Sequence, residues 1–127
     1  MYLDADTVLK RVKAGTLNVL DIRFEKEVVG GVEAGYAAGH IEGSMWAPAW
    51  PTKTAEAQAN VRKEEAKIKD LDVPTVIVCM AGEQGAQRAA AVLMDAGVAK
   101  KQLYILTGGG KNLVLNYKDQ LVTGTEK

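Results

Sequence analysis

Cys79 is the only cysteine of the 127-residue chain, and the residues around it suit a reactive sulfur. It follows Pro74 and the β-branched run Thr75-Val76-Ile77-Val78, and it precedes the loop Met80-Ala81-Gly82-Glu83-Gln84-Gly85. The run reads as a short strand buried on both faces, as in a parallel sheet covered by helices. Beyond the loop, Ala86, Ala89, Ala90, Leu93 and Met94 fall on one helical face, and Gly97 closes that helix as a C-terminal cap. Free N–H groups at a helix start, with the positive end of the macrodipole, attract negative charge. Gly82 and Gly85 let several N–H groups turn towards one centre, because no Cβ blocks the approach. A thiol in such a cradle is expected to ionise below the free value of about 8.5, and the thiolate is the nucleophile. A small, inert core cysteine is the competing account of the same pattern.

The other chemistry-bearing residues narrow the choice. One cysteine makes no internal disulfide, and one cysteine with one histidine makes no zinc set, so neither a metal nor another cofactor is expected. Basic and acidic residues balance at 16 each, and no basic groove with interleaved aromatics is present, which argues against nucleic acid as a partner. No apolar run approaches the roughly 20 residues that span a bilayer. The N-terminus lacks the basic region and apolar stretch of a signal peptide, so a reducing, cytoplasmic setting is expected. Apolar residues make up 47% and charged residues 25%, values that suit one globular domain over residues 1–127.

These residues need elements to position them. Asp4 or Asp6 caps a first helix that turns Val8, Leu9 and Val12 inwards and ends near Gly15. Asn18 to Arg23 reads as a strand with Asp21 and Arg23 at its C-terminal end. Phe24 to Gly39 reads as a loop with a helical turn near Tyr36. His40 to Pro48 reads as a tight turn into a short strand stopped by proline. Ala57, Val61, Ile68 and Leu71 lie at helical spacing, which predicts one surface helix within the segment from Trp50 to Asp72. Leu103 to Leu106 reads as a buried strand, Thr107 to Gly110 as a glycine loop, and Lys111 to Leu121 as a last helix. Strands alternating with helices predict an α/β fold with a mainly parallel sheet, whose sites form at the carboxyl ends of strands. Asp21, Arg23, Cys79 and Gly108 all fall at such ends.

Four stretches, taken in order, resemble the rhodanese homology domain. They are Leu20-Asp21-Ile22-Arg23, Gly39-His40-Ile41-Glu42-Gly43, the strand ending in Cys79, and Leu106-Thr107-Gly108-Gly109. The resemblance runs from Leu3 to about Tyr117. It implies a three-layer α/β/α fold around a mainly parallel sheet, and a sulfurtransferase that carries sulfane sulfur on Cys79 as a persulfide. By position, Met80, Ala81, Gly82, Glu83, Gln84 and Gly85 form the substrate-binding loop. Asp21, Arg23 and His40 fall in the family's supporting network, and a structural salt bridge and hydrogen bond account for them more simply than catalysis does.

Thiosulfate, a persulfide or a polysulfide is the implied donor. A thiol such as thioredoxin or glutathione, or cyanide, is the implied acceptor. Phosphatases and arsenate reductases of the related fold carry a loop one residue longer that ends in an arginine able to clamp an oxyanion. Gly85 holds that place here, and Arg88 lies farther along the helix, so the phosphatase reading is disfavoured. A non-enzymatic sulfur carrier or partner-binding module remains the alternative. Glu83 sets a negative charge in the loop, which disfavours a dianionic donor unless it turns to solvent or pairs with Arg88. Trp46 and Trp50 are candidates for the walls of the entrance, or for core filler.

Overall fold

The computed structural model describes residues 1–125. Its centre is a five-stranded sheet in which every pairing is parallel: β1 (Tyr2–Leu3), β7 (Leu103–Leu106), β6 (Thr75–Val78), β2 (Asn18–Asp21) and β5 (Met45–Trp46), in that spatial order. Leu20 opposite Ile77 and Ile77 opposite Ile105 form a buried row across the three central strands. Side chains alternate between the faces, as a strand requires. Leu20, Ile22, Ile77, Cys79 and Ile105 pack on one face, under α2 (Ala55–Arg62), α3 (Glu65–Asp70) and α4 (Gln84–Asp95). Val19, Val76, Val78 and Leu106 pack on the other, with α1 (Ala5–Lys13) and α5 (Gly109–Asn116). The result is the α/β fold with a parallel sheet that the sequence pattern predicts, in the three-layer α/β/α form that the resemblance implies.

Local chemistry explains most element ends. The Asp4 carboxylate accepts from the Thr7 N–H at 2.8 Å and caps α1. Gly97, at φ 108°, follows α4 in the left-handed region that favours glycine.

Four expectations need correction. The segment from Phe24 to Gly39 is not only a loop with a helical turn. It also folds an antiparallel hairpin, β3 (Val28–Val29) with β4 (Val32–Glu33), turned by Gly30 and Gly31 at φ 59° and 79°. Two glycines at positive φ between β-branched residues are the chemistry of a tight hairpin turn.

The single surface helix is two, α2 and α3. Glu64 N–H bonds Val61 O, three residues back, so the turn tightens within the charged run Arg62 to Glu65 and the helical ladder is interrupted.

The last helix starts earlier, at Gly109, and ends at Asn116. Tyr117 leaves helical geometry (φ −134°, ψ 23°), and a short 3-10 turn over Lys118–Gln120 leads the chain back so that Val122 pairs with His40. Finally, Tyr2 and Leu3, ahead of the cap of α1, form the edge strand β1, too short to show any alternation in the sequence.

Candidate active site

Cys79 directly follows β6, the strand at the middle of the sheet, and is 0% exposed. Five residues later α4 begins at Gln84, so the intervening loop is compact. Gly82 takes φ 64°, which makes the sharp reversal possible. Gly85 lies inside the first turn of α4 rather than in the loop, and its lack of a side chain serves packing. A methyl group there would stand 2.6 Å from Cδ1 of Trp50.

The loop is fastened from below by the first turn of α5. Gly110 N–H donates to Cys79 O at 2.6 Å, and Lys111 N–H donates to Met80 O at 2.8 Å. Gly109, at φ 64°, passes so close that a Cβ would lie 2.8 Å from Cys79 O and 3.0 Å from the Cα of Ala81. Glu83 adds a third tie: its carboxylate accepts from the Gly108 N–H at 3.0 Å. It neither pairs with Arg88 nor turns wholly to solvent. Arg88 instead donates to Pro51 O at 3.1 Å. The side chain of Met80 is fully buried, so only its backbone belongs to the loop's polar surface.

The expected convergence of N–H groups on the sulfur is only partly realised. Cys79 Sγ donates to Gly82 O at 3.2 Å, and Ala81 O lies at 3.9 Å. Burial pushes the thiol up from its ordinary value; the Ala86 N–H works against this, while the negative charges of Glu83 and Asp21 add to it. The lowered thiol pKa expected from the sequence is therefore overturned. Burial first, and then the carboxylates of Glu83 and Asp21, outweigh the backbone N–H groups of Ala86 and Cys79.

Asp21 and Arg23 form a fully buried ion pair, with Arg23 Nη2 2.7 Å from the carboxylate and Nε bonded to both of its oxygens. The remaining guanidinium donors reach Ala34 O, Gly35 O and Gly39 O. The pair thus pins the segment before His40 to the end of β2, and the guanidinium lies directly against Gly110 beneath the loop. His40 stands apart from the loop: its Nδ1 is 3.0 Å from Tyr36 O, and its ring stacks on Tyr36 at 3.7 Å. Trp46 continues that stack at 4.3 Å and donates its indole N–H to Arg23 O.

The mouth of the site is a depression of about 490 Å³ lined by Trp50, Lys53, Gly82, Glu83, Gln84 and Arg88, among others. Trp50 is therefore a wall of the entrance and Trp46 is not. Lys53 was not singled out from the sequence, and Arg88 was considered only as an oxyanion clamp or a partner for Glu83, not as part of the rim. Their only signal was positive charge near, but outside, the loop. Among the described residues no cluster of three or more His, Cys, Asp or Glu side chains could hold a metal, and no helix is long and apolar enough to cross a membrane.

The chain belongs to the rhodanese-like family: the family model for the Rhodanese-like domain matches residues 4–115. No curated protein matches the chain. Among solved structures it is similar to a rhodanese-related protein from Thermoplasma volcanium, at 20% identity and a TM-score of 0.58 over 91% of this chain and 92% of that one. It is also similar to Ygr203w of Saccharomyces cerevisiae, a homolog of single-domain rhodanese and the Cdc25 phosphatase catalytic domain. That match has 20% identity and a TM-score of 0.65, covering 94% and 84% of the two chains. A third likeness is to a variant of EanB in complex with ergothioneine covalently linked with a cysteine persulfide. Identity there is 16% and the TM-score 0.65, over 99% of this chain but 32% of that chain. At such identities the likeness is one of fold.

Proposed function

We propose that the protein is a sulfurtransferase that moves sulfane sulfur through a Cys79 persulfide. The observation that carries this reading is the place of the only cysteine: at the C-terminal end of the central strand, against the first turn of α4, in a family whose members share this fold. The persulfide named for the EanB complex, on the same fold, supports it.

The steps balance simply. The thiol proton leaves to solvent, and the Cys79 thiolate attacks the outer sulfur of thiosulfate, a persulfide or a polysulfide. A new S–S bond forms at Cys79, the donor's S–S bond breaks, and sulfite or the shortened donor departs with the electron pair. An acceptor thiolate, such as that of thioredoxin or glutathione, or cyanide, then attacks the outer sulfur, and Cys79 leaves as thiolate. Since Cys79 is buried, the loop from Met80 to Glu83 must open for the donor to reach it.

Intact-protein mass spectrometry after exposure to a polysulfide tests the reading. Addition of sulfur atoms to the wild type, reversed by a thiol and absent in Cys79→Ser, is the expected result. A serine variant that gains sulfur or turns over like the wild type overturns it.

A further inference from the structure

Glu83 is the only charged residue of the loop between Cys79 and α4, and its carboxylate is not free. It ties the last residue of the loop to the Gly108 N–H, while Gly110 and Lys111 hold the carbonyls of Cys79 and Met80 at its start. The same residue closes the loop at the α4 end as well, since its carbonyl accepts the Gln87 N–H at 2.8 Å. With both ends of Glu83 fixed, the peptide from Ala81 to Gly82 is held where its carbonyls face the sulfur.

We infer that Glu83 is a positioning residue that keeps Cys79 in a resting, closed state, by latching the loop to Gly108 and by setting a negative charge at the mouth of the site. The inference deepens the sulfurtransferase reading, but its two effects are measurable without sulfur transfer. One is mechanical: without the bond to Gly108 the loop opens more often and exposes the thiol. The other is electrostatic: a carboxylate near a thiol disfavours the thiolate, so its removal shifts ionisation downward.

The other charges around the sulfur do not replace it. Asp21, on β2, also pushes the thiol up, but it is paired with Arg23 beneath the loop and ties no part of the loop itself. On α4, Arg88 is turned to Pro51 O, and Lys53 is exposed at the rim. On α5, the Lys111 side chain extends towards Gly30 of the hairpin, away from the loop.

Two substitutions separate the effects. Glu83→Gln keeps an oxygen that accepts from Gly108 and removes the charge; Glu83→Ala removes both. The probe is alkylation by iodoacetamide, in which the thiolate forms a C–S bond and displaces iodide. Glu83→Gln is expected to raise the rate at pH 7 by about threefold or more, since the rate follows the thiolate fraction, and to lower the pH midpoint. Glu83→Ala is expected to raise it further. Amide exchange at Gly108 should quicken in Glu83→Ala and stay near wild type in Glu83→Gln. Glu83→Ser serves as a second truncation should the alanine variant be unstable. A Glu83→Gln rate and midpoint equal to wild type, or unchanged Gly108 exchange in the truncations, overturns the inference. Neither outcome bears on whether sulfur is carried, which the mass measurement reads separately.

Discussion

The side chain of Arg23 lies against the α-carbon of Gly110, so close that a methyl group on Gly110 would stand 2.5 Å from Arg23 Cδ. Neither partner can yield. Arg23 is wholly buried, with its donors spent on Asp21 and three carbonyls, and the Gly110 N–H holds Cys79 O. The contact joins the buried ion pair to the loop that carries the sulfur. Gly110→Ala is therefore expected to destabilise by roughly 1–3 kcal/mol, the usual cost of overpacking a filled core. It should also raise Cys79 alkylation in the folded protein. Urea melts with parallel alkylation kinetics check both. A variant as stable as wild type would mean that the guanidinium shifts freely.

The ion pair is itself testable. Removing one partner of a buried pair strands the other charge, at a cost of about 3–5 kcal/mol. Arg23→Met leaves Asp21 uncompensated and also frees the carbonyls of Ala34, Gly35 and Gly39 from their donor. Arg23→Lys keeps the charge but lacks the planar fork that reaches these acceptors, so it should also be clearly destabilised. Denaturant midpoints that stay within error of wild type in both variants would contradict this account.

How much of this was legible beforehand follows from what each signal depends on. The strand at Thr75–Val78 and the amphipathic α4 are visible because burial leaves a periodic trace, and the carboxyl-end rule then brings Cys79, Asp21 and Gly108 together. The hairpin at Val28–Glu33 was missed: Val-Val-Gly-Gly-Val carries its turn, but its strands are two residues each and too short to alternate. The break between α2 and α3 left no mark, since solvated charged side chains tolerate either a straight or a bent helix. The thiol's ionisation was misjudged for a different reason. Composition shows that N–H groups can converge on Cys79, whereas the burial of the sulfur, and the partner of Glu83, depend on segments distant in sequence.

The raised thiol pKa links to stability. Burial favours the protonated thiol in the folded chain, so the folded pKa lies above the unfolded one. The folded state then binds more protons than the unfolded state between the two values. The contribution is full below the unfolded pKa of about 8.5 and is lost as pH rises through the folded value. Wild-type stability should fall above about pH 8.5, and Cys79→Ala should flatten this part of the profile, although its vacated volume lowers stability at every pH. Urea midpoints from pH 7 to 10 provide the comparison. Equal slopes in the two proteins would show that Cys79 is not the group responsible.

The last prediction concerns the sulfur donor and rests on where Glu83 is held. Its carboxylate, tied to Gly108, lies at the mouth of the site and acts on the thiol itself, so a donor's charge approaching Cys79 meets it too. Thiosulfate is a dianion with its charge next to the sulfur that must be attacked. At close range in a partly desolvated loop, repulsion is on the order of a kcal/mol or more. A glutathione persulfide keeps its carboxylates several bonds from the reacting sulfur and should be penalised less. Lys53 and Arg88 line the same depression and lessen the repulsion of either donor, but neither belongs to the loop, and Arg88 is turned to Pro51 O. Glu83→Gln should therefore raise kcat/KM for thiosulfate by about fivefold or more, a change worth roughly 1 kcal/mol, and raise that for the persulfide by less. Gln84→Arg, at the exposed first residue of α4, should act in the same direction, because it adds positive charge beside the loop. Because lowering the thiol pKa helps every donor equally, the ratio between donors is the informative quantity. It should shrink as ionic strength rises, through screening of the exposed charges. An unchanged ratio in both variants at low salt would remove charge as the basis of donor choice, and would leave the shape of the mouth beside Trp50 to decide it.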